Sequence, residues 1–381
     1  MNKNLVLKNL RVALVYDKAV TWGGAERLLL NLHEIFPDAP LYTLVKKDNI
    51  EWINKFNNIY ASWAQRIPVI RNYHQLLAPW AGDLFSGFDL SKYDLVISIT
   101  SYDAKSVVTS PNTLHICYCL TPNRFLWVNP GYDAYRGYGL LTPLINIFKN
   151  YWLTHLRTSD QYHATFPDKY YTLSELVKKR IWKYYKQDSL VIYPGVDTKV
   201  FITKANSNFF DRKYFLVVSR LTGYKHISQL IKIFNNLSYT LLIVGEGSDK
   251  EKLQSEIEGQ NIKLLGKVSE KKLIALYQNA FALIMLQEED FGLVVLESMA
   301  CGTPVIVNVK SGVTELVDNG IHGVVLDVIN EKTTMLAIDR IIDTKWNKEK
   351  IRARALLYDW KNFRSAIKLE IENEWKRFNQ D

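Results

Sequence analysis

Short, wholly apolar runs alternate with amphipathic helical stretches along this chain, and the pattern occurs twice. A strand buried on both faces reads as a continuous apolar run, and alternation with helices implies parallel strands joined by crossovers. In the first half, "LRVALVYD" reads as a buried strand that turns at Gly23-Gly24 into the helix "AERLLLNLHEIF". "YDLVISIT" (93–100) and "TLHICYCL" are further strands. "SLVIYPGVD" (189–197) ends a strand in a Pro-Gly turn and marks the seam. The second half offers "YFLVVSRL", "YTLLIVGEG", "IKLLGKV", "FALIMLQ" and "TPVIVN" as strands, with "SQLIKIFNNL" and "EKKLIALYQNA" as helices. The expected fold is therefore α/β with two parallel-sheet domains. The tail "WKNFRSAIKLEIENEWKRF" is amphipathic and helical, expected to pack on a neighbouring domain.

A length of 381 residues suffices for two such cores. No run is long and apolar enough to span a membrane, and no signal-peptide pattern opens the chain. Three cysteines, Cys117, Cys119 and Cys301, make no disulfide framework and imply a reducing cytoplasm. Cys117 and Cys119 lack a second ligand pair, so no zinc site is expected. A net charge of +9 with 22 Tyr and 10 Trp suits an anionic partner, whether nucleic acid, an acidic membrane surface or a phosphorylated substrate, or else a merely basic surface. No compact nucleic-acid motif is present.

The stretch "EEDFGLVVLESMACGTPVI" (288–306) places Glu297 as the single acidic or basic side chain between Phe291 and Val307. A buried carboxylate needs a partner. The stretch reads as a connection followed by a helix closed at Gly302 and Pro304, with amides around Phe291, Gly292 and Leu293 forming an anion site. Glu289 and Glu297 should lie roughly 10 Å apart, from the helical rise, and could grip the two ends of one elongated ligand. Glu297 either holds a ribose diol or pairs with a buried Arg or Lys.

In "VVSRLTGYKHI" (217–227), Arg220 leaves a strand and Lys225 follows five residues later. At the carboxyl end of a parallel strand two cations suit a diphosphate; the alternative is a solvated basic turn. The Gly23-Gly24 pair permits close backbone approach to a ligand, and "VGEGSDK" supplies a G-x-G at Gly245. A P-loop, H-E-x-x-H and Asp-x-Asp are all missing, which removes P-loop kinase, metalloprotease and metal-dependent diphosphate chemistry of those kinds.

Together these residues resemble the retaining GT-B-fold glycosyltransferases called family 4. The resemblance rests on Glu289 to Glu297 with "SMACGTPVI", on "SGVTELVDNGIHGVVL", on "SRLTGYKHI" and on "IYPGVD". "DAKSVVTSPNTLHICYCLTPNRFLWV" is similar to mannosyltransferases that build bacterial surface polysaccharides. The resemblance implies GT-B architecture, with an acceptor domain over 1–193, a donor domain over 194–357 and a helix, 358–381, returning to the first. It implies transfer of a hexose, mannose from GDP-mannose first, from a nucleotide diphosphate sugar to a lipid-linked glycan of O-antigen or capsule, at the inner face of the cell membrane and without metal or cofactor. Arg220 and Lys225 would meet charge on the departing diphosphate, helped by the amides of Phe291, Gly292 and Leu293. Glu289 would contact the donor sugar and Glu297 the ribose. Acceptor contacts would come from the Gly23-Gly24 loop, Arg124 and the segment Trp63 to Arg71. One departure stands out: Leu120 replaces the subgroup's His, so no catalytic His is assigned, and His115 reads as a core residue. Rival readings are an epimerase or hydrolase on the same scaffold, and a non-catalytic nucleotide-sugar-binding partner.

Overall fold

The computed structural model describes residues 7–67, 77, 80–128, 142–203 and 213–380. Residues 68–71 of the Trp63 to Arg71 segment, and residues 129–141, lie outside this description. The chain divides into two compact units, Met1–Tyr193 with Arg364–Asp381, and Pro194–Phe363.

The first unit is built on seven strands, β1 (Val12–Tyr16), β2 (Leu41–Thr43), β3 (Ile59–Ala61), β4 (Leu95–Thr100), β5 (Leu114–Cys119), β6 (Lys169–Thr172) and β7 (Ser189–Val191). They lie in the order β3-β2-β1-β4-β5-β6-β7, each neighbour parallel. Strands β1, β4 and β5 are buried along their whole length, which is why their sequences show no polar alternation. From Arg364 onward the helix Trp360–Phe378 belongs to this unit, where Arg364 pairs with Glu34 at 3.0 Å and Glu374 with Lys169 at 3.3 Å.

The second unit carries six parallel strands, β8 (Tyr214–Val218), β9 (Thr240–Val244), β10 (Ile262–Gly266), β11 (Ala280–Met285), β12 (Val305–Asn308) and β13 (Gly323–Leu326), ordered β10-β9-β8-β11-β12-β13. The helix Ile227–Asn235 lays Ile227, Leu230, Ile231 and Phe234 on this sheet at the 3.6-residue period, against Phe215, Leu241 and Ile243. The expected α/β architecture with two parallel sheets is what the chain adopts. Strands β2, β3, β6 and β13, of three or four residues, have no counterpart among the runs picked out from the sequence. Such lengths are too short to display a period.

In both units the strand order reverses once, between β1 and β4 and between β8 and β11. At such a reversal the outgoing connections diverge to opposite sides and leave a crevice outside the carboxyl ends of the strands.

Candidate functional site

The crevice of the second unit lies between the exits of β8 and β11, and several of the expected residues meet there. Beyond β8 the backbone runs through Ser219 and Arg220 into the turn Gly223–Lys225. Gly245 and Gly247, after β9, let the two exits lie against each other. A Cβ at Gly245 would stand 1.8 Å from the Ser219 carbonyl oxygen, at φ +139°, and one at Gly247 would stand 2.2 Å from that of Leu221. The G-x-G spacing therefore has a chain-packing cause in Gly245, independent of any ligand.

Arg220 is exposed, with its guanidinium 3.4 Å from the Tyr224 hydroxyl, to which it donates. Lys225 is only 6% exposed, so a solvated basic turn does not describe it. Its ammonium donates to Glu289 Oε2 at 2.6 Å and stands 4.9 Å from the Tyr224 ring centre. Glu289, beyond β11, is fixed through its backbone: its N–H donates to Ser311 Oγ (3.0 Å), and its carbonyl accepts from Ser311 Oγ (2.9 Å) and the Gly312 amide (2.8 Å). Gln287 Nε2 approaches the same Glu289 oxygen at 3.4 Å. Between the two in sequence, the Thr222 hydroxyl is buried and has no partner among the described residues. Neither Ser311 nor Thr222 was singled out from the sequence, although both stand inside the quoted motifs.

The helix Leu293–Ala300 starts from Gly292 at φ +87°, where a Cβ would come within 2.6 Å of Val313 Cγ2. Phe291 is buried edge-to-face on Tyr358, centroids 6.3 Å apart, so its side chain anchors the connection and only its backbone could serve a ligand. Leu293 is half-buried at the first helical position. Glu297 is 3% exposed, and its Oε2 accepts from the Tyr277 hydroxyl at 2.8 Å. One protein partner is a neutral phenol from the helix Glu270–Asn279.

Residues 200–356 match the family model described as glycosyl transferases group 1. A segment of the second unit is thus similar to the group 1 glycosyl transferases. That segment covers less than half of the chain and holds Arg220, Lys225, Glu289 and Glu297. An uncharacterized glycosyltransferase of Methanocaldococcus jannaschii is 26% identical over 196 residues, and the match spans 50% of this chain and 53% of that relative, about half its length. The solved structure of the lipopolysaccharide outer core galactosyltransferase WaaB in its apo form is 19% identical, with a TM-score of 0.63 over 94% of this chain and 99% of that one. Anabaena HepE in complex with UDP and glucose gives 17% identity and a TM-score of 0.70 over 95% and 99% of the two chains. These likenesses establish the fold as that of the GT-B glycosyltransferases.

Outside the group 1 segment, Gly23 and Gly24 open the helix Gly24–Ile35. Gly23 has an extended φ of −172°, and a Cβ there would meet nothing closer than 3.4 Å, so nothing in the chain's own packing demands glycine. Glu26 is the buried residue of "GGAER", accepting from the Tyr16 hydroxyl at 2.7 Å and Thr21 Oγ1 at 3.1 Å. Burial, with this carboxylate beside it, pushes the Tyr16 phenol well up. Leu120 is half-buried just past β5, its amide donating to the Thr100 carbonyl at 2.7 Å. His115 is fully buried on β5 with Nε2 2.9 Å from Ser98 Oγ, while its Nδ1 has no partner among the described residues. Cys117 and Cys119 are buried, and burial pushes the Cys117 thiol up to about 12. Among the described residues no helix is long and apolar enough to cross a membrane.

Proposed function

We propose that the chain is a retaining, metal-independent glycosyltransferase that moves a hexose from a nucleotide diphosphate sugar to a lipid-linked glycan. The observation that carries this reading is the Lys225–Glu289 pair at the β8/β11 reversal, inside the segment matching the group 1 family. An ammonium has three N–H donors. Glu289 takes one and thereby aims the group into the crevice. Arg220, Lys225 and the Thr222 hydroxyl then bind the diphosphate, and the two cations stabilise charge that grows on it as the glycosidic bond breaks. Glu289 also accepts from a hydroxyl of the donor hexose. The departing phosphate oxygen takes the acceptor's proton on the same face, giving retention. Glu297 contacts the ribose, with Tyr277 holding its carboxylate.

The choice of donor rests on analogy. The subgroup resemblance favours GDP-mannose, whereas HepE was solved with UDP and glucose, and WaaB is a galactosyltransferase. Exposed Trp63, Trp80, Tyr151 and Trp152 in the first unit, with the net positive charge, support an acceptor held at an anionic membrane surface, reached from the inner face of the cell membrane.

A thermal-shift panel with GDP-, UDP-, dTDP- and ADP-sugars tests the reading, because a ligand of the native state raises its apparent stability. One nucleotide sugar should raise Tm, and incubation with a glycan acceptor should yield a new glycosidic bond. An altered donor without transfer would select the epimerase or hydrolase. Binding without turnover would select the non-catalytic partner, the reading that Leu120 favours.

A further inference from the structure

One helix of nine residues, Lys348–Leu356, grips both pieces of chain from which Glu289 and Glu297 project. It buries Ile351 and Ala355, four positions apart. At about 100° per residue, Arg352 and Arg354 stand on either side of that buried stripe, roughly 100° one way and 60° the other from Ile351. Ala353, between them in sequence, is exposed. Both arginines are half-buried, and both donate to backbone carbonyls.

Arg352 donates to the carbonyls of Ala300, Phe201 (2.7 Å) and Thr198 (2.8 Å). Ala300 ends the helix Leu293–Ala300, and the last carbonyls of a helix have no partner within it. A cation there also meets the negative end of the helix dipole. Glu297 opens that same final turn, its carbonyl accepting from the Cys301 amide at 3.2 Å. Arg352 therefore pins the turn from which Glu297 reaches Tyr277. Arg354 donates to the carbonyls of Glu315 (2.8 Å) and Leu316 (3.2 Å). These close the short turn Gly312–Glu315, whose opening at Ser311 and Gly312 holds the backbone of Glu289. The same guanidinium lies 5.6 Å from the Tyr358 ring centre, and Tyr358 meets Phe291, two residues after Glu289, edge to face. Arg354 thus braces the connection that carries Glu289 twice, through the turn and through the rings.

We infer that Arg352 and Arg354 are positioning residues with separate charges: Arg352 sets Glu297, and Arg354 sets Glu289. Hydrogen bonds from an ionised donor are among the stronger ones, and here each ends on the chain that carries one carboxylate. On the glycosyltransferase reading, on which these roles rest, Arg354 acts on turnover through the Lys225–Glu289 pair. Arg352 acts on nucleotide affinity through Glu297.

The test measures turnover, nucleotide affinity by calorimetry with UDP and GDP, and hydrogen exchange by mass spectrometry, all on the full chain. Arg354→Met should lower kcat about tenfold while nucleotide affinity stays within about twofold, the scale of one lost charge-assisted hydrogen bond acting on one step. Arg352→Met should weaken nucleotide binding about tenfold, for the same reason. Arg354→Met should add little to Glu289→Gln in turnover, and Arg352→Met little to Glu297→Gln in affinity. The crossed pairs, Arg354→Met with Glu297→Gln and Arg352→Met with Glu289→Gln, should multiply, as independent sites do. Exchange should quicken over 287–293 and 311–316 in Arg354→Met, and over 198–202 and 296–303 in Arg352→Met. Lysine at either position should recover part of the loss, since it keeps the charge without the fork, and the lysine variants decide if the methionine ones do not fold. The inference is overturned if both variants lose kcat and affinity in equal proportion, if crossed and matched pairs behave alike, or if exchange rises evenly through the second unit. A wild-type chain that binds no nucleotide would count against the proposed function instead, and the exchange pattern alone would then decide which chain each arginine positions.

Discussion

Lys225 and Glu289, 64 positions apart in sequence, join the exits of β8 and β11 through a 2.6 Å ion pair. The pair is largely shielded on the lysine side, so a ligand must bind beside it or open it. If its purpose is to orient the ammonium toward a diphosphate, Lys225→Ala should lower turnover by roughly a hundredfold or more, the scale seen when one electrostatic stabiliser of a transition state is lost. Glu289→Gln keeps the shape and should also lower turnover. The double variant should then fall well short of the product of the two losses. Steady-state kinetics and thermal melts on all three decide. Loss of stability in proportion to activity would make the pair a structural brace.

Arg220 provides a cleaner probe, since it is exposed and its contact to Tyr224 is long. Arg220→Ala should cut turnover strongly while changing stability by no more than about 0.5 kcal/mol, the usual range for surface positions. Arg220→Lys should recover only part, because a point charge cannot reproduce a fork.

Glu297→Gln should weaken nucleotide binding by about tenfold or more, as for a lost hydrogen bond to a charged group. Tyr277→Phe leaves a buried carboxylate oxygen without that donor and should cost about 1–3 kcal/mol in denaturant unfolding. Calorimetry with the preferred nucleotide separates the roles. Unchanged affinity in Glu297→Gln, with a stability loss like that of Tyr277→Phe, would make Glu297 an internal group that touches no ribose.

How legible the molecule is in its sequence differs by scale. Strands such as β4 and β8 are long enough for their burial on both faces to appear as unbroken apolar letters, whereas β2 and β3 are three residues each and leave no such trace. The quoted motifs located Lys225 and Glu289 but not their ion pair, because partners 64 residues apart are brought together by strand order alone. Gly245 illustrates the converse. Its place in a G-x-G after a strand does not tell that the neighbouring backbone already fills the space a side chain would take. Tyr277 lies in the helical stretch "EKKLIALYQNA", whose letters do not tell that its hydroxyl meets Glu297.

The two glycine sites should therefore respond differently to the same change. Gly245→Ala puts a methyl 1.8 Å from the Ser219 carbonyl at a φ that L residues rarely adopt, and should destabilise the second unit by about 3 kcal/mol or more, or prevent its folding. Gly23→Ala meets only ordinary contacts at an extended φ and should cost about 1 kcal/mol or less, as at a helix start without a side-chain cap. Urea unfolding compares them. A Gly23→Ala protein that is stable yet fails with acceptor would assign the Gly23-Gly24 loop to ligand approach.

Two groups of the first unit, His115 fully buried and Asp103 half-buried, give the stability curve opposing slopes. Burial holds His115 down to about 3, so below the ordinary histidine value of about 6.5 the unfolded chain takes a proton that the native chain refuses. Its contribution is complete above pH 6.5 and is lost as pH falls toward 3, by roughly 1.4 kcal/mol per unit. Asp103, raised to about 7, behaves in reverse: the native chain holds a proton that the unfolded chain releases above about 4, so its contribution is lost as pH rises from about 4 to about 7. Between pH 4.5 and 6.5 the two nearly cancel, and these groups leave the wild-type curve almost flat. Asp103→Asn should uncover the histidine, with stability falling as pH drops from 6.5 to 4.5. His115→Gln should uncover the aspartate, with stability rising over the same interval. Urea midpoints across that range read both slopes, and variant curves parallel to the wild type would show that neither group is held as its burial implies.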